Sequence, residues 1–269
     1  MSNNSASSFP IGIFDSGVGG LSVWRELVKL LPNEAILYVA DSANCPYGNK
    51  NQDEIIILSD RIVSFLIEQG CKLIVLACNT ATAGAIDYLR GKYEVPFVGM
   101  EPAVKPAALN SKTGVVGILA TAGTFKGRLF NETKERFASD VKVIEQVGEG
   151  LVDAVEHGMV DSSETTQLLK SYLQPMLDAN VDHLALGCTH YPFLIPQIEK
   201  ITQNRIIIMD PAPAVAKHTK HLLEENKLDN KNKEKVPFYI FYSTADTATL
   251  KRMLTELNIK NYEVQELDI

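Results

Sequence analysis

LIVLACNT at residues 73–80 and DHLALGCT at residues 182–189 are two versions of one pattern: an apolar run, a cysteine, and a threonine within two positions. With one residue of slack, Cys78 falls on Cys188. The neighbouring segments repeat as well, since MEPA at 100–103 matches MDPA at 209–212 and IGIFDSG at 11–17 resembles VGILATAG at 116–123. Three matches in the same order and at nearly constant offset point to a duplicated unit. Short apolar runs bounded by turn chemistry read as buried strands. Both cysteines therefore stand at the carboxyl ends of strands, where open parallel sheets hold their ligands.

Working outward, further strands are expected at 11–14, 35–39, 97–99, 115–119, 141–146, 205–209, 238–242 and 263–265, beside those at 73–77 and 183–186. Helix-length segments with apolar residues at three- and four-residue spacing lie at 21–31, 54–68, 125–137 and 245–257. Strands alternating with such segments predict βαβ units and parallel sheets. The length of 269 residues corresponds to roughly two domains at ~150 residues each. The fold class expected is α/β, with two pseudo-symmetric α/β domains, parallel-type sheets and an active-site cleft between them. The elements after Pro211 have no counterpart left in the second half, so they are expected to rejoin the first lobe. That places residues 1–100 plus 212–269 in one domain and 101–211 in the other, with the Pro-Ala segments at 101–107 and 210–214 as crossovers.

A formal charge of −7 argues against a nucleic-acid surface, which needs a basic stripe. Lys231, Lys233 and Lys235 form the one basic run, interleaved with Asn and Glu, and read as a solvated loop. No apolar run approaches the ~18 residues of a membrane span. Residues 1–8 are polar, without a basic region or an apolar stretch to follow, and read as a disordered tail rather than a signal peptide. A cytoplasmic protein is expected. Cys45, Cys71, Cys78 and Cys188 show no C-x-x-C spacing and no histidine at zinc-finger spacing, so free thiols and no metal are expected.

Four loops follow strands directly: DSGVGG at 15–20, ADSANCPYG at 40–48, CNTAT at 78–82 and CTHYP at 188–192. The glycine loop lacks both the G-x-G-x-x-G order and the lysine of a phosphate-binding loop. A flavodoxin-like nucleotide module is its competing reading. A lone buried cysteine is usually a small apolar residue, but Asn79, Thr80, Thr189 and His190 beside these thiols are not what apolar packing selects.

Taken together, DSGVGG, ADSANCPYG, LACNTATA at 76–83, GMEPAVKPA at 99–107 and GCTHYPF at 187–193 closely resemble the cofactor-independent aspartate/glutamate racemase family, over about residues 10–216. Phe193 stands where that family usually has leucine, which bears on local packing alone. The resemblance implies two α/β domains around a cleft, a cysteine pair as acid and base, no cofactor, a homodimer, and D-glutamate supplied for peptidoglycan. An aspartate-specific member would share the fold and the thiols; the PYG turn at 46–48 favours glutamate. Carried over by position, Cys78 and Cys188 match the catalytic thiols, with Cys188 acting on L-glutamate and Cys78 on D-glutamate. Asp15, Ser16, Tyr47, Gly48, Asn79, Thr80, Thr189 and His190 match the substrate-contacting positions. Asp15 and His190 are also implied as aids to the thiols, and Glu156 in LVDAVE at 151–156 resembles a further acid near the second cysteine. Glu156 reads equally as an exposed helix residue, and Asp41 as the cap of a turn.

Racemisation needs two acid/base groups on opposite faces of Cα, one a thiolate while the other is a thiol. Cysteine suits this, since its reference pKa of about 8.5 is tuned by its neighbours. An anion such as Asp15 raises a nearby thiol's pKa, so binding the substrate ammonium and ordering the site are its expected duties. Asn79, Thr80 and Thr189 are suited to stabilise the carbanion through its carboxylate. Tyr47 and Gly48, with Ser16, are suited to seat the distal carboxylate.

Overall fold

Runs of branched and aromatic residues form ten strands in the computed structural model, which describes residues 6–232 and 237–269. The first four are β1 (Ile11–Asp15), β2 (Ile36–Ala40), β3 (Leu73–Leu76) and β4 (Phe97–Val98). The next four are β5 (Val115–Ala120), β6 (Lys142–Val147), β7 (His183–Gly187) and β8 (Ile207–Met209). β9 (Tyr239–Ser243) and β10 (Tyr262–Glu266) follow. Every pairing among them is parallel. One sheet has the order β10-β9-β2-β1-β3-β4 and the other β6-β5-β7-β8. The order β2-β1-β3-β4 thus recurs as β6-β5-β7-β8, the architectural counterpart of the sequence repeat.

β1, β2, β3 and β7 are buried along their whole length, which is why their sequences are continuous apolar runs rather than alternating ones. The helices that cover them are α1 (Leu21–Leu30), α2 (Gln52–Glu68), α3 (Asn79–Lys92) and α4 (Val104–Asn110) before β5. Beyond it come α5 (Ala122–Lys126), α6 (Arg128–Phe137), α7 (Leu151–Glu156), α8 (Ser163–Asp178), α9 (Ile195–Thr202), α10 (Ala212–Glu225) and α11 (Ala248–Glu256). A capping box opens α2, in which Asn51 and Glu54 each accept the other's backbone N–H. α1 turns Leu21, Val23, Trp24 and Leu27 inward, and the Trp24 ring meets Tyr239 edge-on at 5.1 Å. α10 packs on α1, and β9 pairs with β2, so the chain after Pro211 is built onto the first sheet. Charged residues blunt the open edge of the second sheet, where β6 carries Lys142 and Glu145.

Three sequence expectations need correction. The helix expected at 125–137 is two, α5 and α6, divided at Gly127, whose ψ of 138° is extended. The apolar spacing runs across this break because Phe125 and Phe130 still stack edge-on at 5.1 Å. The last helix begins at Ala248, since the Asp246 side chain accepts the Ala248 N–H and turns the chain there. Within the presumed tail, Ala6–Ser8 forms a 3₁₀ turn held by Lys72, whose Nζ donates to the Ser7 carbonyl at 2.6 Å. Residues 1–5 lie outside the described residues, as do Lys233 and Lys235; Lys231 is exposed. Among the described residues no helix is long and apolar enough to cross a membrane.

Lys72 also forms a buried ion pair with Glu34 at 2.5 Å, and Glu34 accepts the Asn230 N–H at 2.8 Å. The knot sits at the start of β2 and β3, the opposite end of the strands from the cysteines. Removing one partner of a buried pair strands the other charge. Lys72→Met is therefore expected to lower the unfolding free energy by about 3–5 kcal/mol. Denaturant titration checks this, and turnover per folded molecule should be unchanged.

Candidate active site

Chain reversal after β1 is shaped by Asp15, whose Oδ2 accepts the N–H groups of Gly20 at 2.9 Å and Gly17 at 3.3 Å. Its Oδ1 accepts the Thr189 hydroxyl at 3.2 Å, from the loop after β7 on the other sheet. Burial pushes the Asp15 carboxyl above its ordinary range, while nearby His190 and the two glycine N–H groups pull the other way. Ser22 reinforces the junction, donating to the Gly19 and Thr189 carbonyls at 2.9 and 3.1 Å. The glycines answer close approach: a Cβ on Gly17 would collide with the Glu156 carboxylate, and one on Gly19 with the His190 imidazole.

Cys78 is the N-cap of α3, and its sulfur accepts the Ala81 N–H at 3.4 Å and lies 3.6 Å from Ser16 Oγ. Burial and then Asp15 push this thiol up, against the Ala81 and Ser16 hydrogen bonds. Cys188 has a different neighbourhood. Its Sγ is 3.7 Å from His190 Nδ1, and His190 Nε2 is 2.6 Å from Glu156 Oε1, which also accepts the Val18 N–H at 2.9 Å. Burial alone would push the imidazolium down, but Cys188 and Glu156 on its two nitrogens hold its pKa well above the usual value. Burial likewise opposes ionisation of Glu156, yet His190, Val18 and Cys45 keep its carboxyl low. Glu156 ends α7 with its side chain turned into this chain of groups, not outward as an exposed helix residue.

The residues expected from sequence converge on one small pocket, lined by Ser16, Tyr47, Gly48, Cys78, Asn79, Thr80, Cys188, Thr189 and His190. Asp15 and Glu156 stand behind the wall rather than in it, and Asp15 is fully buried. The Tyr47 hydroxyl, expected to help seat a distal carboxylate, donates instead to Asp41 at 2.5 Å. Asp41 also accepts from Asn44 at 3.0 Å and Thr244 at 2.7 Å, so it orders the 40–48 loop rather than capping one turn. Burial and Asp41 both raise the Tyr47 phenol. Asn79 is buried with neither side-chain nitrogen nor oxygen hydrogen-bonded, at the first turn of α3 and on the cavity wall. A buried amide of this kind costs free energy unless a ligand satisfies it.

Thr121, Pro46 and Val152 complete the lining and were not expected. Thr121 was within reach of the sequence, because the repeat places it over Ser16. Its hydroxyl meets Thr80 at 2.8 Å and Thr124 at 2.9 Å, joining α3 to the second sheet's side. Cys71 is a buried thiol pushed up to about 12 by burial, in keeping with a small core residue. Cys45 is partly buried beside Glu156, with Sγ 3.7 Å from Oε1.

Known proteins resemble the chain at both levels. The Pseudomonas entomophila protein named glutamate racemase is 47% identical over 265 residues, covering 97% of this chain and 98% of its own. The structure of a Bacillus anthracis glutamate racemase superposes with a TM-score of 0.87 at 29% identity, covering 98% of each chain. That of the Francisella tularensis glutamate racemase in complex with D-glutamate gives 0.84 at 32%, over 97% of this chain and 98% of its own. Since the Asp/Glu/Hydantoin racemase family description also matches residues 11–219, most of the length over which the two like sheets are built, the chain belongs to that family.

Proposed function

We infer that this protein interconverts L- and D-glutamate without a cofactor or metal, Cys78 and Cys188 exchanging the α-proton across the cleft. One observation carries the assignment of the thiols: they stand at equivalent strand ends of two like sheets and line the same small cavity. In the L-to-D direction the Cys188 thiolate removes the α-proton, leaving a planar carbanion, and the Cys78 thiol protonates its other face. The product enzyme then holds a Cys188 thiol and a Cys78 thiolate, and the reverse turnover restores the first state. Negative charge moves onto the α-carboxylate during the step. Asn79, with both polar atoms unpartnered, and Thr80 at the N-terminus of α3 supply neutral donors there, joined by Thr189. Gly48 and Ser16 are the candidates for the distal carboxylate.

The two thiols are served differently. The Cys78 thiolate is favoured by the Ala81 N–H and by Ser16, while Cys188 has an imidazole held by Glu156. Asp15, with no exposed surface, positions the glycine loop and Thr189 rather than touching substrate. We further propose that residues 1–100 with 212–269 and residues 101–211 are the two domains that hold the thiols apart. The reading extends to a cytoplasmic homodimer that supplies D-glutamate for peptidoglycan.

Polarimetry of L-glutamate with purified protein tests the reaction. Protein dialysed exhaustively against chelator is expected to racemise L-glutamate undiminished, and to turn over L-aspartate far more slowly. Activity lost on chelation and restored by a metal would refute the mechanism, and faster turnover of aspartate would reassign the substrate.

A further inference from the structure

Cys45 has no part in the proton transfers above, yet it comes from a distant loop to stand beside Glu156 and His190. We propose that Cys45, Glu156 and His190 form an inhibitory site for a soft divalent cation of the Zn²⁺ type, set against the face of the imidazole that is turned away from Cys188. One ligand atom from each residue lies within 4.8 Å of the others, with Cys45 Sγ 3.7 Å and His190 Nε2 2.6 Å from Glu156 Oε1. Zinc bonds of about 2.3 Å to sulfur and 2.0–2.2 Å to nitrogen and oxygen, at tetrahedral angles, separate ligand atoms by about 3.4–3.6 Å. Opening the histidine–glutamate contact by under about 1 Å therefore makes room for the ion. Three protein ligands and one water complete four-coordination, and a thiolate–imidazole–carboxylate set selects Zn²⁺ over Mg²⁺ or Ca²⁺.

Gly17 keeps the space between two of the ligands clear, because a Cβ there would meet both the Glu156 carboxylate and Cys45 Sγ. Cys45 and Glu156 are partly exposed and, unlike His190, do not line the cavity. On binding, the Cys45 S–H proton and the His190 Nε2 proton leave to solvent, and the metal takes their place. The ring is then fixed by the ion and no longer hydrogen-bonded to Glu156, and the imidazole beside Cys188 can no longer be protonated to the imidazolium that favours the Cys188 thiolate. This inhibitory consequence rests on the role given to His190 above; the binding itself does not.

The test measures Zn²⁺ affinity by competition with a chromophoric chelator, and Co²⁺ absorption, on the full chain. The forms compared are unsubstituted protein, Cys45→Ser, Cys45→Ala and the double variant Cys78→Ser/Cys188→Ser. The unsubstituted and double-variant proteins should bind Zn²⁺ equally tightly and show a thiolate-to-Co²⁺ charge-transfer band. Both Cys45 variants should lose that band, weaken binding by about 100-fold or more, and racemise normally while resisting Zn²⁺. Unchanged affinity in both Cys45 variants would overturn the site. Loss of binding in the double variant would do so too, assigning the ion to the substrate-facing thiols. If the cation-free protein fails to racemise glutamate, the functional reading falls, and the affinity measurements still decide the site.

Discussion

Cys78→Ala is expected to abolish racemisation, by about 10³–10⁴-fold, the upper part of the range for removing a general acid or base. Each thiol reaches one face of Cα, so each deprotonates one enantiomer. In Cys78→Ala, Cys188 can still remove and return the α-proton of L-glutamate from the same side, but nothing completes the inversion. In deuterium oxide this variant should exchange the α-proton of the L-form alone, and Cys188→Ala that of the D-form alone, as read by proton NMR of each enantiomer. The environments add an asymmetry: Cys188 retains an imidazole bridged to Glu156, and Cys78 retains only the α3 N-terminus and Ser16. Near-normal racemisation by either single variant would sink the two-thiol mechanism. Exchange of the opposite enantiomer would reverse the assignment of the thiols.

Gly19→Ala should leave the protein folded and cost about 10²-fold in kcat, the scale of a displacement of about 1 Å at a reacting group. The added Cβ would contact three atoms of the His190 ring at distances no real Cβ adopts. The ring has nowhere to retreat, because Nε2 is bonded to Glu156 and Nδ1 faces Cys188. Gly19 has no positive φ, so alanine brings no backbone strain of its own. Circular dichroism should show native content, with the melting temperature lowered by the overpacking but the protein still folded at assay temperature. A variant with full kcat would mean that the imidazole's position is immaterial, and a variant that fails to fold would mean that the loop is structural first.

The strands were legible because buried parallel strands carry the most uniform signal a sequence offers, and the duplicated strand order was foreshadowed by the matching segments around Cys78 and Cys188. Apolar spacing reports burial rather than backbone continuity, so the break at Gly127 was invisible: Phe125 and Phe130 pack together on either side of it. The candidate site was legible to the extent that its members follow strands. Contacts made between the two sheets were harder to read. Glu156 reaches Val18, and Asp15 reaches Thr189, only because the loops of one half dock on those of the other. No spacing within either half encodes that docking. The commitment of Tyr47 to Asp41 was hidden for a similar reason, since Asp41 is also held by Thr244 from the far end of the chain.

The chain passes from one sheet to the other twice, between β4 and α4 and again between β8 and α10. A body held by one tether can swivel about three axes; held by two, it keeps a single axis, the line through both. Two crossings therefore tie the halves together more closely than one would, and the bonds Thr189 to Asp15, Ser22 to Thr189 and Thr80 to Thr121 add to the tie. Cutting the backbone at either crossing would still leave the halves joined covalently by the other.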